Sequence, residues 1–274
     1  MKRYRKLRTA LLAVLLVLAC VMSAACGPAH RNEPTVTEGL PVLKVGSDEY
    51  APYFYRDIHG DFTGIDVELA QEACRRIGYR AEFVEIEWSE KEQLLEAGEV
   101  DCLWGSFSMT GREEQYLWAG PYMKSRQVIA VPSESGIMSF SDLAGKRIGV
   151  QMTSKPDEIL SSGSDERIPA LRELYCFSNL DYAFAAMRKG YVDAVAGHEV
   201  AFLEYMKATS GTYRILPESL IEVDLGVAFF KCGNQELAKA LCEALSQMQE
   251  DGFTAQLLQR YGLDAHGTLE DDVT

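Results

Sequence analysis

Two runs of strand-like segments alternating with helical ones, at about 42–107 and 146–197, constrain this chain more than any other feature. In the first run, 41–46 reads as a strand that ends in a turn-rich stretch from Asp48 to Pro52. Ile65, Leu69, Ala73 and Ile77 recur at helical spacing, and Gly78 stops that helix. Residues 81–86 are strand-like, Ser89 with Glu92 has the form of a capping box, and 100–106 is a strand. In the second run, 146–151 and 172–177 read as strands, and Asn179 caps a helix that Gly190 ends. An apolar strand at 192–196 completes it, and a helix at 200–209 follows. Such alternation predicts an α/β architecture with mostly parallel sheets, because a parallel crossover returns the chain through a helix. Two further strands, 126–131 and 225–231, lack helical partners and can carry the chain between two α/β units. Helices at 235–249 and 253–261 precede a polar tail. Two units joined by two crossing strands predict a hinged, two-lobed clamshell that closes around a ligand.

The N-terminus reads as an export signal. Lys2, Arg3, Arg5, Lys6 and Arg8 precede an apolar run from Ala10 to Met22, which is short for a bilayer span and suits a signal-peptide core. Ser23-Ala24-Ala25-Cys26-Gly27 resembles a bacterial lipobox, in which Cys26 would carry the lipid; Cys20 is the second candidate. One acyl chain holds a membrane only marginally, so a stable anchor takes two or more. Removing a leader with five basic and no acidic residues moves the net charge from −14 to about −19. An acidic body excludes a nucleic-acid partner, which needs a basic patch. Five cysteines follow Cys26, with no zinc-site spacing; Cys74 and Cys102 stand in apolar contexts and read as buried free thiols.

Five signatures in order resemble one family. They are Val45-Gly46-Ser47-Asp48-Glu49-Tyr50-Ala51-Pro52-Tyr53 with Gly64-Ile65-Asp66-Val67-Glu68-Leu69, then Gly98-Glu99-Val100-Asp101 leading to Ser106-Phe107-Ser108-Met109-Thr110-Gly111-Arg112. Trp118-Ala119-Gly120-Pro121-Tyr122, Lys189-Gly190-Tyr191-Val192-Asp193-Ala194-Val195, and Asp224-Leu225-Gly226-Val227-Ala228 with Asp251-Gly252-Phe253 follow. Together they resemble the bacterial extracellular solute-binding proteins of family 3, the amino-acid-binding components of ABC transporters. The resemblance implies a type 2 periplasmic-binding-protein fold and no cofactor, metal or catalytic residue. It also implies a monomer that binds an amino-acid-like ligand and delivers it to an ABC permease, held at the membrane by its lipid outside the cytoplasm. The lobes then fall at 41–128 with 226–264 and at 129–225, after a signal peptide over 1–25 and a tether over 26–40, with a tail over 265–274.

The resemblance also implies a ligand site. A buried amino-acid carboxylate needs a charged partner, and a guanidinium supplies a bidentate one. Arg112 takes that role, with Ser106 and Ser108 ahead of it. Tyr50 and Trp88 match aromatic positions that sandwich the ligand, and Asp48 lies toward its side-chain end. Thr153 matches a hydroxyl donor to the carboxylate, although Met152 stands where the family has Gly. Counting five residues on from Asp193 reaches His198, where the family places an Asp for the ligand ammonium. A neutral His accepts a hydrogen bond but does not neutralise charge, so Glu199 is the alternative acceptor. One residue fewer than usual separates Thr110 from Arg112. Two other readings share the fold: a cyclohexadienyl or arogenate-type dehydratase using His198 and Glu199, and a sensory ligand-binding component.

Overall fold

Eight strands form one mixed sheet in the computed structural model, which describes residues 39–209, 211–264 and 269. The chain divides at Gly39/Leu40 into two units, and the sheet lies in the second. The expected signal peptide, the lipid on Cys26, most of the tether and nearly all of the tail lie outside the described residues. Among the described residues no helix is long and apolar enough to cross a membrane.

Strands β1 (Val42–Ser47), β4 (Arg80–Glu85) and β5 (Cys102–Leu103) pair in parallel. So do β7 (Arg147–Gln151), β8 (Glu173–Phe177) and β9 (Ala194–His198). Between these groups run two long antiparallel strands, β6 (Leu117–Pro132) and β10 (Tyr213–Phe229), which pair from Leu117↔Phe229 to Pro132↔Tyr213. The sheet order is β4-β1-β5-β10-β6-β9-β7-β8. A small hairpin of β2 (Tyr55–Arg56) and β3 (Phe62–Thr63) lies apart. The helices are α1 (Ile65–Arg76), α2 (Lys91–Ala97), α3 (Lys155–Ser162), α4 (Leu180–Arg188), α5 (Glu199–Ala208), α6 (Gln235–Glu250) and α7 (Phe253–Arg260).

The expected elements are present, and three details differ. The crossing strands are 16 and 17 residues long, far beyond the apolar runs that reveal them in the sequence. Polar residues such as Ser125, Arg126 and Glu222 interrupt the apolar pattern, but backbone pairing between β6 and β10 continues through them. β5 pairs only over Cys102–Leu103, because the chain turns at Gly105 and Ser106, where Ser106 has φ of +46°. The capping box is not formed: Ser89 lies inside a 3-10 turn, Trp88–Glu90, and Glu90 caps α2 without a side-chain bond. The buried Trp88 anchors that turn, so the chain is wound before α2 begins.

Packing fixes this frame. Leu43 and Val45 of β1 and Ile65, Leu69 and Ala73 of α1 are buried in one core. Each large aliphatic side chain buried this way stabilises the fold by about 1.5–3 kcal/mol. A second core, with Ile129, Ile148, Val150 and Leu216, lies on the β7–β9 side. Cys74 and Cys102 are buried free thiols, as expected; Cys176 and Cys232 are exposed.

Candidate functional site

The C-terminal ends of β1, β5, β7 and β9 meet around a narrow, polar-lined cavity. Crevices at the carboxyl ends of parallel strands are where open α/β sheets bind ligands. Asp48 follows β1 directly, and Tyr50 lies two residues on. Past β5 the chain makes a tight turn. Gly105 is required there, because a Cβ would stand 2.0 Å from Ser47 Oγ. The Ser106 amide then donates to Asp66 Oδ2 at 2.6 Å, which holds the left-handed turn from beneath. Asp66 in turn begins α1 behind Gly64, whose missing Cβ would meet the Tyr53 carbonyl oxygen at 2.2 Å. The signatures around Gly64, Asp66 and Ser106 thus describe one structural device.

Arg112 sits on the loop that follows. The Met109 amide donates to the Asp224 carbonyl at 2.8 Å, pinning that loop to β10, and Arg112 N donates back to Met109 O at 2.7 Å. Trp118 Nε1 donates to the Arg112 carbonyl at 3.1 Å. The guanidinium lies 5.3 Å from the centre of the Phe107 ring and lines the cavity. Trp88 meets Phe107 edge-on and closes the same side.

The opposite wall comes from β7, α3 and β9. Gln151 Nε2 donates to Asp48 Oδ2 at 2.5 Å across the cavity. His198 ends β9; its amide donates to Tyr50 Oη at 3.2 Å and its ring packs edge-on against Tyr50. Ser125 Oγ lies 2.9 Å from His198 Nδ1, and Gln127 Nε2 lies 2.9 Å from Nε2. Gln127 Oε1 is buried without a hydrogen-bond partner within the described residues, and Gln127 lines the cavity. Lys155, from the first turn of α3, lines it too.

Burial sets the charges. Asp48 is pushed up to about 7 by desolvation, against the opposing effects of the Gln151 hydrogen bond and the Lys91 charge. His198 is driven down to about 3 by burial, with the Arg112 charge adding to it, so its ring is neutral at physiological pH. Lys91 is lowered to about 8 by burial. No group of His, Cys, Asp and Glu fit to hold a metal occurs among the described residues.

The sequence matches the bacterial extracellular solute-binding proteins, family 3, over residues 43–264. The protein belongs to this family. As an extracellular solute-binding protein it resembles L-cystine-binding protein TcyA of Bacillus subtilis (strain 168), with 26% identity over 269 residues, 93% of this chain and 97% of that one. It also resembles the histidine-binding periplasmic protein of Salmonella typhimurium (strain LT2), with 28% identity over 236 residues, 82% of this chain and 89% of that one. Among solved structures, an ABC uptake transporter substrate-binding protein from Streptococcus pneumoniae with bound histidine superposes with a TM-score of 0.75 at 25% identity, covering 81% of this chain and 95% of that one. The solute-binding protein therefore has the two-lobed, type 2 periplasmic-binding-protein fold. These relatives are named for what they bind, not for a reaction, and it is a binder with them.

The cavity of this solute-binding protein gathers Asp48, Tyr50, Trp88, Ser106, Ser108, Arg112 and His198 from the expected residues. Two expected residues are not among its lining. Thr153 Oγ1 accepts from Lys91 Nζ at 2.8 Å, while its amide donates to Asp157 Oδ2 at 2.8 Å. Glu199 pairs with Arg126 at 2.9 Å. Thr153 has φ of +58°, rare for a β-branched residue, and it and Ser106 are the non-glycine residues with positive φ among those described. Gln127, Gln151 and Lys155 line the cavity and are absent from the sequence reading. A usable signal exists for Gln151, which ends an apolar strand immediately before the Met152-Thr153 step. Gln127 sits within a crossing strand and Lys155 within a helix, with no local mark.

Proposed function

We propose that this protein captures an α-amino acid between its two lobes and delivers it to an ABC permease, tethered outside the cytoplasm by a lipid on Cys26. One observation carries the ligand class: Arg112, 8% exposed, and Lys155, 6% exposed, both line the cavity that also holds the Ser106 and Ser108 positions. A buried guanidinium in such a place calls for an anion, and a carboxylate fits its planar donors. The ammonium then falls to Asp48, which ionises when a cation arrives, and to the unpaired carbonyl of Gln127. His198 serves by holding Gln127, since its ring is neutral. The relatives are named for cystine and histidine, amino acids with polar or cationic side chains, and the ligand is expected among such molecules.

The lobes at 41–128 with 226–264 and at 129–225 close about the β6 and β10 crossings. Export and anchoring are supported by the leader and by the lipobox-like residues before Cys26. A dehydratase reading finds no support at His198 and Glu199: the one is held far below the range of a general acid at neutral pH, and the other is paired with Arg126.

Thermal-shift screening against the twenty common amino acids and L-cystine tests this directly, because a ligand that binds only the folded state raises its melting temperature. We expect one or a few amino acids to raise it, L-cystine, L-histidine or L-arginine among them. No shift with any of them, or turnover of prephenate or arogenate, contradicts the reading. Metabolic labelling with a fatty acid tests the anchor: the label is lost in Cys26→Ala.

A further inference from the structure

Contacts that cross from one wall of the cavity to the other include those of Asp48 with Gln151, Tyr50 with His198, Lys91 with Thr153, and Arg112 with Glu158. Only the last joins two oppositely charged side chains. Arg112 Nη2 lies 3.0 Å from Glu158 Oε2, and Lys155 Nζ donates to Glu158 Oε1 at 2.7 Å. Lys155 and Glu158 are three residues apart in α3, so they stand on one face of it. Arg112 and Lys155 are 8% and 6% exposed and line the cavity. Glu158 does not line it, and its side chain is 48% exposed. The carboxylate therefore stands on the solvent side of two cations that face inward. Lys155 also packs closely on the Arg112 loop: a Cβ at Gly111 would come 3.0 Å from Lys155 Nζ.

We propose that Glu158 is a positioning residue for ligand capture, a latch that ties α3 to Arg112 and aims the guanidinium into the cavity. This rests on the amino-acid reading above. A guanidinium has five donors in a fixed plane. Nη1 donates to the Ser108 carbonyl at 3.4 Å and Nη2 is held by Glu158, which leaves the remaining edge for a ligand carboxylate. Glu158 thus acts through Arg112 rather than on the ligand. It also couples two events, since the bridge that orients Arg112 is the bridge that holds the walls together. A latch resists escape more than it aids encounter, so its loss acts on dissociation.

The test is Glu158→Gln, with stopped-flow binding of L-arginine, L-histidine and L-cystine and with scattering from the protein without added amino acid. Dissociation should be about fivefold faster, the scale of a half-exposed ion pair, with association nearly unchanged. The variant should also have a larger radius of gyration. Raising salt from about 0.05 M to about 0.5 M should speed wild-type release toward that of the variant and leave the variant unchanged, because a half-exposed pair is screened. Glu158→Asp should restore slow release in part. Unchanged release from Glu158→Gln overturns the proposal. So does tighter binding, which means that Glu158 competes with the ligand carboxylate. If none of the three amino acids binds the wild type, the amino-acid reading fails by itself; the radius then decides the latch, and an unchanged radius overturns it.

Discussion

The wall at the ends of β1 and β5 carries its ligand candidates on short loops held by backbone bonds: Asp48, Tyr50, Ser106, Ser108 and Arg112 all line the cavity. The wall at the ends of β7 and β9 is organised by side chains reaching from far away. Lys91 takes the Thr153 hydroxyl from 62 residues off, and Arg126 takes Glu199 from 73 residues off. Gln127 and Lys155 fill the places those two leave. The first wall is preformed by local geometry, while the second is set by which long-range partner reaches it. On the proposed reading, recognition of the carboxylate belongs to the first wall, latching to the second, and the ammonium is shared between Asp48 of the first and Gln127.

Substitutions can break or sharpen that contrast. The largest effect is expected from Arg112→Ala, which should weaken amino-acid binding by about 100-fold or more, the scale of losing one member of a buried charge pair. Calorimetry checks it, and retained affinity would move the carboxylate to the other wall. Asp48 comes next. Its acid is raised to about 7, so below the usual carboxylate range it is protonated in both folded and unfolded protein, and its full contribution to stability is present there. That contribution is lost as pH rises through about 7, where the buried group ionises. A cationic ligand favours the ionised form. Binding of L-arginine should therefore tighten as pH rises through about 7 and then level off, by about tenfold overall from a charge-assisted bond. The Asp48→Asn variant should bind more weakly with a flat pH profile, and a profile unchanged in the variant removes Asp48 from the site.

Smaller effects are expected from the second wall. Gln127→Leu should weaken binding by about fivefold through loss of one hydrogen bond to a charged group, read by the same titrations. Thr153→Ala should change affinity by less than about twofold but lower stability by about 1 kcal/mol, because its hydroxyl serves Lys91. A large affinity loss in Thr153→Ala with stability intact would return that residue to the ligand. Denaturant melts beside the titrations separate the two outcomes.

The sequence carries the first wall well because its signals are local. Gly105 and Gly64 are demanded by close backbone approach, and Asp66 answers the Ser106 amide, so the spacing of these residues encodes one turn. The alternation of β1, α1 and β4 is legible for a similar reason: Leu43, Val45, Leu69 and Ala73 face one core with the period of their element. The full length of β6 and β10 is not legible, since polar residues on paired backbone break the apolar pattern. Nor is the false capping box at Ser89, because burial of Trp88 decides where that helix begins. His198 is found by counting from Asp193, yet its meaning depends on Ser125 and Gln127, more than 70 residues earlier. Sequence spacing locates the residue, whereas only the packed strands reveal that it supports a neighbour.

On the function proposed above, the cavity receives an amino acid whose carboxylate lies on Arg112. A crystal structure with the amino acid that raises the melting temperature most tests this directly. Both carboxylate oxygens should lie within hydrogen-bond reach of the Arg112 guanidinium, about 2.7–2.9 Å, with the ammonium toward Asp48 and Gln127. A ligand lying elsewhere, or one in the cavity with its carboxylate turned away from Arg112, contradicts it.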